Sequence, residues 1–279
     1  MTVLIVGGTG LLGRELVRQA VAAGRPAAAT WHQRPPDPAA AAPGVPVHRI
    51  DLRDAELVAS VITAVAPQVV INAAYRQDDW TITADGAVRL ARAAASAGAR
   101  FVQVSTDAVF SGRAVHCAED AVPDPITPYG AAKAAAETAI RFGCPDAVIV
   151  RTSLIIGDHG ESPQERRVRA LVTGDQDGVL FTDDIRCPVH VADLAAALFE
   201  LEDSTDAGIR HVAGPDAMSR YRLGRLIALR DGLDPDALPV GRRAELGPPG
   251  PLDVRLDCAR TAARLRTRIR GAAEFLRPS

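Results

Sequence analysis

Residues 3–16 read VLIVGGTGLLGREL, and this stretch decides the fold. Its first four residues are apolar and predict a buried strand, and a helix is predicted from about residue 11 to residue 23. Gly7, Gly10 and Gly13, after the strand and at the start of the helix, satisfy the pattern G-x-x-G-x-x-G, which permits a tight turn and lets a pyrophosphate approach the helix N-terminus. The stretch therefore predicts a dinucleotide-binding turn. The predicted cofactor contacts in it are Gly7, Thr9, Gly10, Leu11, Leu12 and Gly13.

Short β-branched runs alternate with Ala-rich helical stretches through the first half of the chain. The predicted strands are 3–6, 27–31, 47–50, 69–71, 101–104 and 147–150, and the predicted helices between them are 54–65, 84–97 and 129–142. Continuous apolar strands that alternate with helices indicate an α/β, Rossmann-like, doubly wound parallel sheet.

The second half is less regular and predicts a smaller substrate-binding lobe. Its predicted helices are 163–173, 190–202, 219–231 and 268–276, and its predicted strands are 179–181 and 209–212. We predict that residues 1–155 form the NADP-binding Rossmann domain and that 187–202 return to it. Residues 156–186 and 203–279 then form the lobe.

The end of the second predicted strand, TWHQR, bears on the choice of cofactor. An NAD site usually has an acid at this point for the ribose hydroxyls, and none is present. His32 and Arg34, with Thr30, could instead meet a 2′-phosphate, and a guanidinium is a good bidentate partner for phosphate. This favours NADP(H) over NAD(H). The alternative for Arg34 is a solvated surface side chain.

The ends of the next two strands supply further candidate cofactor contacts. Asp51 and Leu52 follow the third strand, where Asp51 could reach the adenine amino group or could instead cap the next helix. Asn72, Ala73 and Ala74 end the fourth strand and are expected under the cofactor. The alternative for Asn72 is a turn-forming residue.

The single lysine, Lys133, lies four residues after Tyr129 in the run YGAAK, whereas 31 of the 32 basic residues are arginine. Residues i and i+4 share a helix face, so an ammonium there can lower the pKa of the tyrosine hydroxyl. The chain has only three tyrosines. The spacing predicts a catalytic pair, and the alternative is a tyrosine that merely packs at a helix start.

The glycine turn, STDAVFSG at 105–112 and YGAAK at 129–133 occur in an order that resembles the extended short-chain dehydrogenase/reductase superfamily. Within it, VVINAAY, RTSLIIG and RCPVHVADLA are most similar to motifs of the dTDP-4-dehydrorhamnose reductase group. The resemblance covers nearly the whole chain. It implies a catalytic set of Thr106, Tyr129 and Lys133, with Ser105 as the runner-up for the hydroxyl. It also implies that Arg186 reaches the nucleotide part of the substrate, the alternative being a surface arginine.

Two positions depart from the reductase group, which has tyrosine where this chain has Ala108 and tryptophan where it has Leu154. Both are expected to line the substrate pocket. We expect an NADPH-dependent ketoreductase acting on a nucleotide-activated 4-keto sugar or a related metabolite. The alternatives are an NAD-dependent sugar-nucleotide epimerase and a non-catalytic NADP-binding regulatory subunit. The resemblance disfavours a 4,6-dehydratase, because this chain has Ala108 at the position where the dehydratases have their catalytic base.

The composition limits the partners. A net charge of −2 gives no electrostatic footprint for nucleic acid or an anionic membrane. Four scattered cysteines without a C-x-x-C pattern indicate reduced thiols in a cytoplasmic protein, and no metal pattern is present. The expected partner is a nucleotide sugar, with a homodimer left open.

Overall fold

The computed structural model describes residues 1–33, 35, 42–158, 162–247 and 249–278. The predicted phosphate contact Arg34 lies outside these residues. No helix among the described residues is long and apolar enough to span a bilayer.

A seven-stranded sheet forms the centre of the α/β fold, as the sequence predicted. Its strands in chain order are β1 (Val3–Val6), β2 (Ala27–Trp31), β3 (Val47–Arg49), β4 (Val69–Asn72), β5 (Arg100–Thr106), β7 (Val148–Thr152) and β12 (Gly208–His211). In space the order is β12-β7-β5-β4-β1-β2-β3, and the pairs β1–β2, β1–β4, β2–β3 and β4–β5 are parallel. The order reverses between β1 and β4, and ligands of such sheets bind beside the strand carboxyl ends at this switch point.

Helices of the first half cover the sheet through one apolar face each. They are α1 (Leu11–Ala22), α2 (Ala55–Val65), α3 (Ala87–Ser96) and α4 (Pro128–Gly143). In α1 the buried positions Leu12, Leu16 and Ala20 recur every fourth residue, which places them on the face toward the core. Asp54 caps α2 by accepting hydrogen bonds from the amides of Glu56 and Leu57. The alternative that Asp51 caps this helix is therefore wrong.

The predicted helix 84–97 is divided. A π-helical turn, Thr81–Gly86, precedes α3. Gly86 lies against Leu52 in this turn, where an added Cβ would come within 2.7 Å of the Leu52 Cβ. The absent side chain thus permits a close approach that helical periodicity does not reveal.

The remaining elements are further helices and short strands, and part of them surrounds a separate apolar core that contains Ile156, Val168, Leu223 and Ile227. The helices are α5 (Pro163–Thr173), α6 (Val191–Asp203), α7 (Arg220–Arg230), α8 (Arg243–Leu246), α9 (Ala259–Ala262) and α10 (Ala272–Phe275). The short strands are β6 (His116–Cys117), β8 (Ile155–Ile156), β9 (Leu180–Phe181), β10 (Ile185–Arg186), β11 (Val189–His190), β13 (Met218–Ser219), β14 (Val240–Gly241) and β15 (Arg255–Leu256).

The predicted helix 268–276 is wrong in its first half, since α10 begins at Ala272. The backbone amide of Arg270 donates to the Asp193 carboxylate at 2.9 Å, and the Arg270 guanidinium binds the same carboxylate. This long-range ion pair holds the residues before α10 in a non-helical path.

The chain divides into two compact units. Unit 1 comprises Met1–Thr106, Pro128–Val150 and Ala195–Arg210, and unit 2 comprises Asp107–Thr127, Arg151–Leu194 and His211–Ser279. The predicted division into a cofactor domain, 1–155 with 187–202, and a substrate lobe stays a prediction, because compactness does not show which ligand each part binds.

All four cysteines are free, and three of them, Cys117, Cys144 and Cys187, are buried. Burial raises the pKa of the Cys187 thiol to about 11 and that of the half-buried Cys258 to about 12. Burial also raises the pKa of Cys117 and Cys144. These thiols are uncharged near neutral pH.

Candidate active site

The glycine turn after β1 is shaped by close backbone contacts. Gly7 has a φ of +85°, a region that favours glycine, and its added Cβ would lie 2.9 Å from the Ala74 amide nitrogen. An added Cβ at Gly13 would overlap the Gly7 carbonyl oxygen and come within 2.7 Å of the Gly8 Cα. Two of the three pattern glycines are therefore required by packing, and the turn keeps the open backbone surface that a pyrophosphate needs.

A pocket of about 220 Å³ in unit 1 opens beside this turn. Seven of the predicted cofactor contacts line it: Gly7, Thr9, Gly10, His32, Leu52, Ala73 and Ala74. Thr30, Trp31, Ile50, Tyr75, Arg76 and Ile82 complete the wall. Leu12, by contrast, is buried in the core face of α1, and Leu11, Gly13, Asp51, Asn72, Tyr129 and Lys133 are not part of the lining.

Asp51 is held beside the pocket by a small charged cluster. The amide and guanidinium of Arg53 donate to its carboxylate, and the His32 Nε2 lies 3.3 Å from its Oδ2. The Arg53 hydrogen bonds hold the pKa of Asp51 well below its ordinary value. Asp51 is thus ionised, and it orients His32 at the pocket wall.

Asn72 fixes the end of β4 and is completely buried. Its Nδ2 donates to Gln103 Oε1 at 2.9 Å, and its Oδ1 accepts from the Ala74 amide at 3.1 Å. It therefore forms the turn contact that the sequence left as an alternative. Through that contact it positions Ala73 and Ala74, which do line the pocket.

Lys133 is buried in α4 with 3% of its surface exposed. Its Nζ donates to the carbonyl of Val104, near the end of β5, at 3.0 Å. Burial lowers the pKa of Lys133 to about 8, although the charge of Glu137 on the same helix opposes that shift. An ammonium with this pKa is mostly charged at pH 7 and can still lose its proton under mildly alkaline conditions.

The alternation along β5 separates the two candidate hydroxyl residues. Ser105 is buried and donates from its Oγ to the Glu137 carboxylate, whereas Thr106 is half-buried at the strand end. Tyr129 is half-buried in the first turn of α4, one turn before Lys133. The hydroxyl of Ser105 is thus engaged with Glu137, which favours Thr106 over Ser105 as the group that meets a ligand.

Tyr75 is a site residue that the sequence did not indicate as such. Its ring centroid lies 5.7 Å from that of Tyr129, and the Lys133 Nζ lies 5.4 Å from the Tyr75 centroid. Tyr75 also lines the pocket. It directly follows the predicted contacts at 72–74, so a signal was present in its place after β4. The ring contacts themselves depend on tertiary structure.

The predicted substrate contacts Ala108, Leu154 and Arg186 all lie in unit 2. Ala108 is half-buried in the 3₁₀ turn Asp107–Val109 that follows β5. Leu154 is half-buried and packs against the apolar core of unit 2. Neither is completely enclosed, so both stay candidates for contact with a substrate.

Arg186 is buried, and its guanidinium is engaged with the backbone. Its Nη1 donates to the Ile185 carbonyl and its Nη2 to the Pro251 carbonyl, both at 2.7 Å. Its Nη1 also lies 2.9 Å from the Asp184 carboxylate. In this arrangement Arg186 holds the loop before β15. The alternative of a surface arginine is therefore wrong.

Comparison with known proteins gives a family for the chain. The family model described as "RmlD substrate binding domain" matches residues 1–271. The dTDP-4-dehydrorhamnose reductase of Mycolicibacterium smegmatis is 29% identical in an alignment of 289 positions, gaps included, that covers 98% of this chain and 83% of that protein. The methionine adenosyltransferase 2 subunit beta of Xenopus tropicalis is 28% identical in an alignment of 281 positions that covers 92% of this chain and 80% of that protein.

A solved structure shows the same fold. It is that of the Bacillus anthracis dTDP-4-dehydrorhamnose reductase in complex with NADP, with a TM-score of 0.78 and 23% sequence identity. The match covers 99% of this chain and 95% of that one.

Proposed function

Because the chain belongs to the RmlD substrate binding domain family of the extended short-chain dehydrogenases/reductases, we propose that it is an NADPH-dependent ketoreductase. Its proposed substrate is a nucleotide-activated 4-keto sugar, with a deoxysugar as the first candidate. The observation that carries the proposal is the buried ammonium of Lys133, which lies one helical turn from Tyr129 and is bonded to the end of β5. The ammonium of lysine is a compact point charge, which the larger and planar guanidinium of arginine does not replace at such a site.

The cofactor fits the open turn. Because Gly7 and Gly13 have no side chain, a pyrophosphate can approach the backbone at the start of α1 closely. Ala73, Ala74 and His32 line the pocket beside this turn, and His32 is the proposed partner of the 2′-phosphate. When bound, NADPH supplies the hydride for the carbonyl carbon.

The protein's own residues handle the proton. Tyr129 donates its hydroxyl proton to the carbonyl oxygen as that oxygen gains charge, and the product is the alcohol. The Lys133 ammonium lowers the pKa of the Tyr129 hydroxyl and so eases the transfer. Thr106 donates a hydrogen bond that holds the carbonyl oxygen in place.

A panel of nucleotide-activated keto sugars tests the proposal. Each is mixed with the protein and NADPH or NADH, and oxidation of the cofactor is followed by its absorbance. Stoichiometric consumption of NADPH supports a reductase. Conversion of sugar without net consumption of NADPH would instead support an epimerase.

A regulatory role is the second candidate, because one relative is named as the beta subunit of a methionine adenosyltransferase. Such a protein would bind NADP without turnover. Binding of NADPH together with no oxidation across the whole panel, and stable co-purification with an unrelated enzyme, would favour it over the reductase.

We expect NADPH to bind more tightly than NADH. No acid ends β2, His32 lines the pocket, and Arg34 follows it in sequence. One charge-assisted contact to the 2′-phosphate corresponds to a preference of roughly ten- to a hundredfold. Calorimetric titration of both cofactors measures it.

The source of this preference is separated by Arg34→Ala and His32→Gln, with Arg49→Ala as the matched control. Arg49 is exposed on β3 and does not line the pocket. Equal affinities of the unaltered protein for the two cofactors would contradict the preference. A preference that survives Arg34→Ala but falls in His32→Gln assigns it to the histidine.

We expect weak activity on dTDP-4-keto-6-deoxyglucose that rises when Ala108→Tyr and Leu154→Trp are combined. These changes restore aromatic area and a hydroxyl of the resembled group at two half-buried positions of unit 2. A hydrogen bond to a sugar hydroxyl discriminates strongly between substrates. The measurement is kcat/KM for this sugar.

Leu229→Trp is the control for that pair, because Leu229 is exposed on α7. The two site changes need not add, since neighbouring positions are often coupled. Wild-type kcat/KM already within about 10⁴–10⁸ M⁻¹s⁻¹ would show that both departures are neutral. No activity in either protein would place the substrate outside the keto-deoxysugars.

A further inference from the structure

Tyr75 is an exposed aromatic residue on a segment of backbone that is fixed on both sides. Its side chain is 53% exposed, but the backbone on both sides of it is held by hydrogen bonds. The Ala74 amide donates to Asn72 Oδ1, and the Arg76 amide donates to Thr83 Oγ1 at 2.9 Å. Thr83 Oγ1 in turn donates to the Arg76 carbonyl at 2.6 Å. The position of the Tyr75 ring is therefore set by the fold, although the ring is open to solvent.

This ring contacts both members of the catalytic pair. The Lys133 Nζ lies 5.4 Å from its centroid, within the distance at which a cation is attracted to an aromatic face. The Tyr129 ring lies 5.7 Å away with an interplanar angle of 47°, a tilted contact of the kind that aromatic pairs prefer. One side chain at the pocket wall thus contacts the proton donor and the ammonium beside it.

The ammonium needs such a partner, because its site is unfavourable to charge. Lys133 is almost completely buried, and burial favours its neutral form. Glu137 opposes this effect, but its carboxylate also accepts a hydrogen bond from Ser105. The π-face of Tyr75 adds negative potential without a formal charge, so it supports the ammonium while the site stays able to bind an anionic cofactor.

We propose that Tyr75 is a positioning residue of the reductase site, whose ring keeps the Lys133 ammonium charged and orients the Tyr129 ring. This inference rests on the proposed function in that it takes Tyr129 and Lys133 as the catalytic pair. It extends that function by a third residue, supplied by the end of β4 rather than by β5 or α4.

The single lysine makes a direct test feasible. Protein grown with lysine labelled by ¹³C at Cε has one lysine signal, and its chemical shift against pH gives the midpoint of Lys133 titration without any substrate. We expect Tyr75→Leu to lower this midpoint by about half to one pH unit, since it removes the aromatic face. Tyr75→Phe keeps the face and should keep the midpoint within about 0.2 units of the unaltered protein.

Tyr221→Leu is the matched control. Tyr221 is the remaining tyrosine of the chain. Like Tyr75 it contacts a cation, Arg225, but it lies in unit 2 on α7. The other charged residues on the elements that pack against α4 are Asp85, Arg89, Arg92 and Arg100, and the substitutions leave all of them in place. A thermal unfolding curve for each variant checks the fold, and Tyr75→Met replaces Tyr75→Leu if the latter unfolds early.

Activity gives the second readout. In Tyr75→Leu the alkaline limb of the kcat profile should move down by the same half to one unit, whereas Tyr75→Phe should leave that limb in place. An unchanged Lys133 midpoint in Tyr75→Leu overturns the role of Tyr75, even in an active enzyme. A lowered Lys133 midpoint in Tyr75→Leu, in a protein that reduces no keto sugar, contradicts the proposed function but still supports the interaction between the Tyr75 ring and the ammonium.

Discussion

Lys133→Arg should reduce kcat by about a hundredfold or more, which corresponds to roughly 2.7 kcal/mol of transition-state stabilisation. The Lys133 ammonium occupies a site with 3% exposure and donates to one backbone carbonyl at 3.0 Å. A guanidinium is larger and planar, and its charge is spread over a fork instead of a point. It cannot take the same place beside Tyr129 without moving β5 or α4. The measurement is kcat with the best sugar of the panel.

The control is the opposite substitution on the same helix, Arg141→Lys. Arg141 is exposed in the last turn of α4, so we expect activity within about twofold of wild type, as for surface changes away from a site. Binding of NADPH and thermal unfolding are followed in parallel to show that Lys133→Arg is folded. If that variant keeps more than about a tenth of wild-type kcat, a loss under ~1.4 kcal/mol, the catalytic role of the lysine is wrong.

Gly13→Ala should destabilise the protein by about 3 kcal/mol or more and abolish cofactor binding. The added Cβ would overlap the Gly7 carbonyl oxygen, so the turn must open or α1 must shift away from β1. Overpacking of a side chain typically costs about 1–3 kcal/mol, and here the obstacle is backbone, which yields less than a side chain does. Denaturant unfolding and NADPH titration measure the two effects.

Gly143→Ala provides the comparison, because nothing lies within 4 Å of its added Cβ. Gly143 is the last residue of α4, where alanine is at least as favourable for a helix as glycine. We expect a change within about 0.5 kcal/mol. Equal stabilities for the two variants would show that the glycine turn is not tightly packed and would remove the main support for the cofactor site.

Most of the sheet could be predicted because its strands are continuous apolar runs. β1 and β2 have the predicted bounds, and so does α5, whose start is marked by the capping box of Ser162 with Glu165 and by Pro163 as its first residue. The C-terminal helix could not be predicted in full, since the ion pair of Arg270 with Asp193 joins positions far apart in sequence. Periodicity carries information about local faces and none about such partners.

The candidate site divides in the same way. The glycine turn and the spacing of Tyr129 and Lys133 are local patterns, and the sequence indicated them directly. Asp54 caps α2, whereas Asp51 belongs to a charged cluster beside the pocket, and telling the two apart required knowing where α2 begins. The role of Tyr75 cannot be predicted from the sequence, because its contacts with Tyr129 and Lys133 arise only when β4, β5 and α4 come together.

The four cysteines have a practical consequence for work with this protein. A thiol attacks disulfides and alkylating reagents as its thiolate, and a pKa of about 11 leaves about one part in ten thousand in that form at pH 7. Burial raises the pKa of all four thiols, so we expect each of them to react more slowly with oxidants and maleimides than an exposed thiol does. A single cysteine introduced on the surface would then be the preferred attachment point for a fluorophore or spin label, with no need to remove the native four.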